Sequence, residues 1–392
     1  MGGRLKSSPG SCGQDFGGFP LQKKVGVEPR TLQKIKMSII NPKRILIVQL
    51  RRIGDVLMCT PAIRALRKEF PESFISFLTE KESEPILRFN PYLNEKIVLD
   101  RKKYGNLFYL LKTIKNLRRK NFDLAIDFFG NPRSAYFTFL SGAKTRLGFD
   151  LPRRRVLYNI LASRGTSSEY AALSRLKALK PLGIEYDDFK LDFFLSDEAR
   201  SFAEQFFQKE NLNNENLKIS ISPASRRKFN FYSLDRYAQI CDWLIQEFAA
   251  EIILVWGPGE EKVVQDLSSK MRNKPIISPH TPSLLELGAV LERCDLHIGN
   301  DNGTKHIATA VGKPTFTIYG PNSPLSWTFP DPLRHSYVKK EVDCSNCENE
   351  KHKCENLECL DYSVDEVKTK IREFLGSLNE CSVPPLAGRG KR

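Results

Sequence analysis

Short apolar runs alternate with longer amphipathic stretches along most of this chain. Arg44 to Leu50 (Arg-Ile-Leu-Ile-Val-Gln-Leu) is a nearly unbroken β-branched and aliphatic run, the pattern of a strand buried on both faces of a parallel sheet. It leads through Arg51-Arg52-Ile53-Gly54-Asp55 into a helical pattern from Val56 to Arg67. Thr60-Pro61 has the form of an N-cap followed by Pro at the first helical position, so a helix begins or kinks there. Further strand-like runs fall at Phe74–Leu78, Lys96–Leu99 and Leu124–Phe128, with a helical stretch at Leu107–Arg119. This alternation predicts an open parallel sheet covered by helices on both faces.

A second set follows. Ser196 to Lys209 reads as a helix, with Ser196 as cap and Asp197 and Glu198 in its first turn. The Asn-rich stretch from Glu210 to Leu217 separates it from strand Lys218–Ser222, helix Leu234–Phe248, strand Glu251–Trp256, helix Glu260–Met271, strand Pro275–Ile277 and helix Ser283–Arg293. The pattern thus divides into a disordered tail over 1–40, one Rossmann-like domain over 41–209 and a second over 216–345. A Cys-rich loop with a last amphipathic helix spans 346–378, and a frayed tail 379–392. The predicted class is α/β, two Rossmann-like domains facing across a cleft. Ligands in such sheets bind at the carboxyl ends of the strands.

Two loops at such ends carry the chemistry. Cys294 to Ile298 reads as a buried strand, Gly299-Asn300-Asp301-Asn302-Gly303-Thr304-Lys305-His306 as a polar turn entering a short helix, and Thr315 to Tyr319 as the next apolar run. Strand, turn and helix N-terminus aim free amides at one point, which suits a phosphate. A tight turn without ligand fits the same residues. The other loop, after Leu50, carries Asp55 just past a strand end.

Composition narrows the class. The chain has 392 residues, 41% of them hydrophobic, and a formal net charge of +15. No apolar stretch is long enough to span a bilayer, and none near the start resembles a secretory signal. Residues 1–36 therefore read as a mis-assigned start before Met37 or a dispensable tail. Eight of the residues from Arg101 to Lys120 are Lys or Arg and none is acidic; Arg153-Arg154-Arg155 adds a second cluster. A solvated face and an anionic partner, including a membrane surface, both account for these. No zinc-finger, RNP or basic-zipper pattern points to nucleic acid. Of nine cysteines, Cys12, Cys59, Cys241, Cys294 and Cys381 are scattered, consistent with unpaired thiols in a reducing cytosol. Cys344, Cys347, Cys354 and Cys359 cluster around His352, as a zinc site, a thiol-rich loop or a labile disulfide.

In order along the chain, these segments resemble glycosyltransferase family 9, the lipopolysaccharide heptosyltransferases. The matching pieces are Arg44–Val48 with Ile53-Gly54-Asp55-Val56-Leu57 and Thr60-Pro61-Ala62-Ile63; Phe122–Asp127 with Arg133-Ser134; and Arg146-Leu147-Gly148-Phe149. They continue with Gly257-Pro258-Gly259-Glu260, Gly299-Asn300-Asp301-x-Gly303-x-x-His306-x-Ala308, and Gly312-Lys313-Pro314 with Tyr319-Gly320-Pro321. The resemblance covers about Lys43 to Leu375 and implies a GT-B fold whose last helix crosses back onto the N-terminal domain. The implied activity is inverting, metal-independent transfer of a heptose or related sugar from an ADP-sugar. The implied acceptor is a lipopolysaccharide core or other lipid-linked oligosaccharide, bound on the N-terminal domain, with the nucleotide on the other.

By resemblance Asp55 matches the family's catalytic aspartate, a general base that takes the proton of the acceptor hydroxyl; capping the following helix is its alternative. Donor binding is implied for Ser222, Gly257, Glu260, Asp301, Asn302, Gly303, Thr304 and His306, and acceptor binding for Arg51, Arg133 and Arg146. Asp301 then accepts from sugar hydroxyls, and Glu260 suits a ribose hydroxyl or a helix start. His306 faces the phosphate or serves as a buried structural histidine. The family places a Lys where counting back from Asp235-Arg236-Tyr237 gives Asn230, so Arg227 or Lys228 substitutes for it or forms a solvated turn. No Asp-x-Asp pair is positioned to hold a divalent ion, and Asp187-Asp188 lies between domains, so neither Mg²⁺ nor another cofactor is expected.

The partners expected are a nucleotide-sugar, an anionic lipid-anchored acceptor and the cytoplasmic face of the inner membrane, contacted peripherally by a cytoplasmic monomer. Two other readings compete. One is a catalytically silent GT-B nucleotide-binding protein at the membrane. The other, a dinucleotide oxidoreductase, lacks the Gly-x-Gly-x-x-Gly that should follow the first strand.

Overall fold

A computed structural model describes residues 41–166, 168–212, 215–342 and 357–381. The expected tails over 1–40 and from 382 onward lie outside them, as do Cys344, Cys347 and Cys354. The first lobe contains β1 (Arg44–Val48), α1 (Ile53–Leu57), α2 (Thr60–Glu69), β2 (Phe74–Glu80), β3 (Glu95–Leu99), α3 (Leu107–Arg119), β4 (Leu124–Asp127), α4 (Pro132–Leu140), β5 (Thr145–Phe149), β6 (Ile160–Ala162) and α5 (Ala171–Lys177). Next come α6 (Asp197–Lys209), β7 (Lys218–Ser222), α7 (Leu234–Phe248), β8 (Glu251–Leu254), α8 (Glu261–Lys270), β9 (Ile276–Ile277), α9 (Leu284–Glu292), β10 (Leu296–Asn300), α10 (Gly303–Ala310), β11 (Thr315–Ile318), α11 (Pro324–Trp327), β12 (His335–Val338) and α12 (Val364–Cys381).

Two six-stranded sheets result, in the orders β3-β2-β1-β4-β5-β6 and β12-β11-β10-β7-β8-β9, with every pairing parallel. Both are the Rossmann order, and in each the chain reverses direction across the sheet beside its first strand. Those switch points lie at β1/β4 and β7/β10. β1 and β10 feed the two polar loops. The strands are buried because their side chains meet helices on both faces: Ile45, Leu46, Ile47 and Val48 have no exposed surface.

The helical stretch read from Val56 to Arg67 is two helices, α1 and α2, interrupted at Met58 and Cys59 immediately before the Thr60-Pro61 start. α6 lies against α9 of the second lobe; Arg200 pairs with Glu292 at 3.0 Å, and the guanidinium of Arg293 sits 5.0 Å from the centre of the Phe207 ring. The resemblance implies a last helix that returns to the first lobe, but the principal packing of α12 is on α7 and β12 of the second. Its stripe of Val367, Ile371, Phe374, Leu375 and Leu378 is buried in that lobe's core, and Arg372 pairs with Glu247 on α7. An apolar face so placed has its burial energy in the second lobe. Among the described residues no helix is long and apolar enough to cross a membrane.

Candidate active site

The lobes touch at α1 and α10. A Cβ on Gly54 would stand 2.7 Å from Cδ2 of His306, and one on Gly303 would stand 3.5 Å from Ile53. Gly54 is therefore required by the opposite lobe, since any side chain there would drive His306 away. A second contact stacks Tyr170 and Phe189 on Phe329, with ring centres 5.6 and 5.3 Å apart.

Asp55 follows Gly54 on α1. One carboxylate oxygen accepts from the Arg175 guanidinium at 2.9 Å, and the other faces the Arg52 amide at 3.4 Å, so the side chain both caps α1 and reaches toward α5. Arg175 is anchored by a bond to the Ala171 carbonyl and adds its positive charge beside His306. One turn after Asp55, the Cys59 thiol donates to the Asp55 carbonyl at 3.3 Å. Burial pushes that thiol up to about 12, against the pull of Arg175.

Across the contact, Asn302 caps α10. Its side-chain oxygen accepts from the Lys305 amide, and its NH₂ donates to Ser222 Oγ at 2.9 Å and to the Ala224 carbonyl at 3.1 Å. Both donors of Asn302 are thus spent on the exit of β7. The Gly303 and Thr304 amides stand at the helix start, where no intrahelical acceptor exists. Asn300 binds the same exit, donating to Pro223 and accepting from Tyr237.

Asp301 is held from two sides. Lys305 donates to one oxygen at 2.5 Å and Asn322 to the other at 2.6 Å, while the ammonium also reaches the Tyr319 hydroxyl at 2.7 Å. Both members of the pair are buried. Burial works to raise the Asp301 carboxyl, but the Lys305 charge and the hydrogen bonds from Lys305 and Asn322 outweigh it and hold it below the usual range. For Lys305 burial pulls the ammonium down while Asp301 pulls it back. Burial and the Lys305 charge hold the His306 imidazole down at about 3, so it is neutral; its ring packs 5.9 Å from Trp327. The position where the family's Lys was expected holds Asn230, a buried amide that donates to the Asp301 carbonyl.

The remaining donor-side residues are more peripheral. Glu260 accepts from the Gly257 amide at 2.9 Å and closes that turn. Arg227 lies 5.3 Å from the centre of the Phe229 ring. The Lys228 side chain is outside the described residues. On the first lobe Arg51 and Arg133 come to one corner: Tyr104 donates to Glu80 at 3.1 Å, Arg133 stacks 4.3 Å from the Tyr104 ring, and Arg51 and Arg101 act on Glu80, whose carboxyl burial pushes up. Arg146 does not join them. It sits toward the amino end of β5, and its guanidinium binds the Leu157 and Ala143 carbonyls.

Two of the sequence segments turn out to be supports. Asp127 ends β4 with its carboxylate taking the Phe129 and Gly130 amides, Ser134 and Tyr158, which fixes the start of the Arg133-bearing helix. Gly148 leaves room for Tyr158, whose ring would meet a Cβ at 2.4 Å. Cys359 is buried. Among the described residues no group of three His, Cys, Asp or Glu is placed to hold a metal ion.

Two Rossmann lobes that present their switch points to one shared gap are the GT-B architecture of glycosyltransferases. A glycosyltransferase family 9 structure from Veillonella parvula DSM 2008 superposes with a TM-score of 0.76 at 23% identity, covering 85% of this chain and 97% of that one. The E. coli heptosyltransferase WaaC with ADP gives 0.64 at 21%, covering 86% and 99%. In sequence, lipopolysaccharide heptosyltransferase 3 of Escherichia coli (strain K12) is 26% identical over 295 residues, 71% of this chain and 83% of that protein. The family described as glycosyltransferase family 9 (heptosyltransferase) matches residues 110–361. The chain belongs to this family and is a glycosyltransferase.

Proposed function

We propose that the protein transfers a heptose, or a closely related sugar, from an ADP-sugar to a lipopolysaccharide core or similar lipid-linked oligosaccharide, with inversion and without a divalent metal. The observation that carries this reading is the position of Asp55, a carboxylate on α1, the helix whose Ile53 and Gly54 meet Gly303 and His306 of α10. The names of the relatives point to the same sugar and acceptor.

In this reading the acceptor hydroxyl oxygen attacks the anomeric carbon while Asp55 takes its proton, and the bond to the diphosphate breaks on the opposite face. The transition state has oxocarbenium character, as in glycoside hydrolysis. The ADP leaves carrying the electron pair, toward the Gly303 and Thr304 amides and the positive end of α10. Arg227 or Lys228 adds a cation, Glu260 meets the ribose, and Asp301 accepts from the sugar with Lys305 balancing its charge against the diphosphate. Arg51 and Arg133 meet anionic groups of the acceptor. The enzyme works as a cytoplasmic monomer at the inner-membrane surface.

The test is release of ADP from ADP-heptose by the purified protein with a heptose-accepting lipopolysaccharide core. The Asp55→Asn variant should lose on the order of 10²–10⁴-fold in kcat while keeping its thermal shift with ADP. Retained turnover in that variant would remove Asp55 as the base, and the same rate with a UDP-sugar would remove the donor assignment.

A further inference from the structure

The outward face of α3 has an unusual composition for a solvated helix. At 100° per residue, Leu107, Phe108 and Leu111 share one side of its first turns, and Lys115, Arg118 and Arg119 continue that side toward the C-terminus. The opposite side, Thr113 and Leu117, enters the core. Phe108 is 85% exposed and Leu107 66%. Alongside, between α3 and α4, runs an open groove of about 310 Å³ walled by Leu110, Ile114, Tyr136, Phe137 and Leu140. Single exposed apolar residues are ordinary, but a contiguous apolar patch with a groove beside it marks a contact surface.

Charge selects the occupant. From Arg101 to Lys120 there are eight Lys or Arg and no acid, Asp100 lying just outside. A second copy of the chain docked on this face would set lysines against lysines. A sheet of phosphate headgroups over an acyl interior offers negative charge to the basic turns and a medium for Phe108 and the leucines. Long Lys and Arg stems can reach headgroups while apolar neighbours sit deeper.

We infer that the α3–α4 face is the docking surface for an anionic lipid bilayer. In a parallel sheet the helices run antiparallel to the strands, so the apolar first turns of α3 and the Arg133-bearing start of α4 lie at the carboxyl edge of the sheet, beside the gap. Docking there holds the mouth of the first lobe against the bilayer. The use of this surface rests on the proposed lipid-linked acceptor; its detection does not.

The experiment is co-sedimentation of the full chain with vesicles of phosphatidylcholine alone or mixed with phosphatidylglycerol. Binding should require phosphatidylglycerol and fall as salt rises. Phe108→Asp with Leu111→Asp should reduce bound protein on the order of tenfold. Lys115→Ala and Arg119→Ala should each reduce it about fivefold. All variants should keep the wild-type melting curve and ADP thermal shift, since these side chains are exposed. Equal binding to phosphatidylcholine alone, indifference to both sets of variants, or a concentration-dependent dimer abolished by Phe108→Asp would overturn the inference. Loss of transfer activity with vesicle binding intact would instead count against the proposed reaction.

Discussion

The Arg175 guanidinium donates to the Asp55 carboxylate at 2.9 Å, joining α5 to α1 at the point where the lobes meet. The bond fixes the direction of the one carboxylate proposed to act as base. Arg175→Ala should lower kcat by roughly tenfold to a hundredfold through misplacement of that group, with the KM for the ADP-sugar nearly unchanged. Arg175→Lys should recover part of the loss. Steady-state kinetics on both variants checks this; a change in KM alone would assign Arg175 to substrate binding.

Gly54→Ala puts a methyl group 2.7 Å from the His306 ring. The expected result is a loss of about 1–3 kcal/mol of stability from overpacking, seen as a lower melting temperature. Combining it with His306→Ala should relieve the clash, so the double variant should lose less than the two single losses added together. Strict additivity would show that the two residues do not meet.

Lys305→Met leaves Asp301 buried without its counter-charge. Breaking a buried pair from one side typically costs about 3–5 kcal/mol, and denaturant unfolding should show a loss of that order. Adding Asp301→Asn removes the orphaned charge and should restore much of the stability, while Asn322 keeps an oxygen to bind. A double variant no more stable than Lys305→Met would count against the ion pair.

Three histidines give the fold an acid limit. His297, His306 and His335 are each held down at about 3, first by burial and then by neighbouring cations. Unfolded, each titrates near 6.5, so between about pH 3 and 6.5 the unfolded chain binds more protons than the fold. Stability therefore rises with pH across that window and falls on acidification, by up to about 1.4 kcal/mol per pH unit for each histidine. Melting temperatures measured from pH 7 downward should drop steeply, and His306→Gln should flatten the slope.

Much of the architecture was legible because parallel strands announce themselves. Arg44 to Leu50 and Glu251 to Trp256 are apolar on both faces, Lys218 to Ser222 alternates isoleucine with polar residues, and the observed strands fall within these runs. The strand, turn and helix around Asn302 were legible because Asn and Gly between an apolar run and a helical pattern mark a tight turn. Arg175 was not legible: α5 is short, and its partner lies 120 residues away in sequence. Lys305 was passed over although its spacing from Asp301 is that of a helical ion pair, because a lysine amid polar turn residues reads as solvated. Arg146 shows the limit of a motif. Its motif follows the family, but the guanidinium ties down the turn between β5 and β6. The return of the last helix was implied by resemblance alone, and the burial of Ile371 and Phe374 in the second lobe decides its packing.

Cys59 offers a way to watch the Asp55 corner in solution. A thiol closed off from solvent and held in its protonated form is a poor nucleophile, so alkylating reagents should leave it untouched while α1 and α2 keep their places. Its rate of modification would then count how often that corner opens. Slower labelling in the presence of a bound sugar nucleotide would show the ligand locking the junction shut.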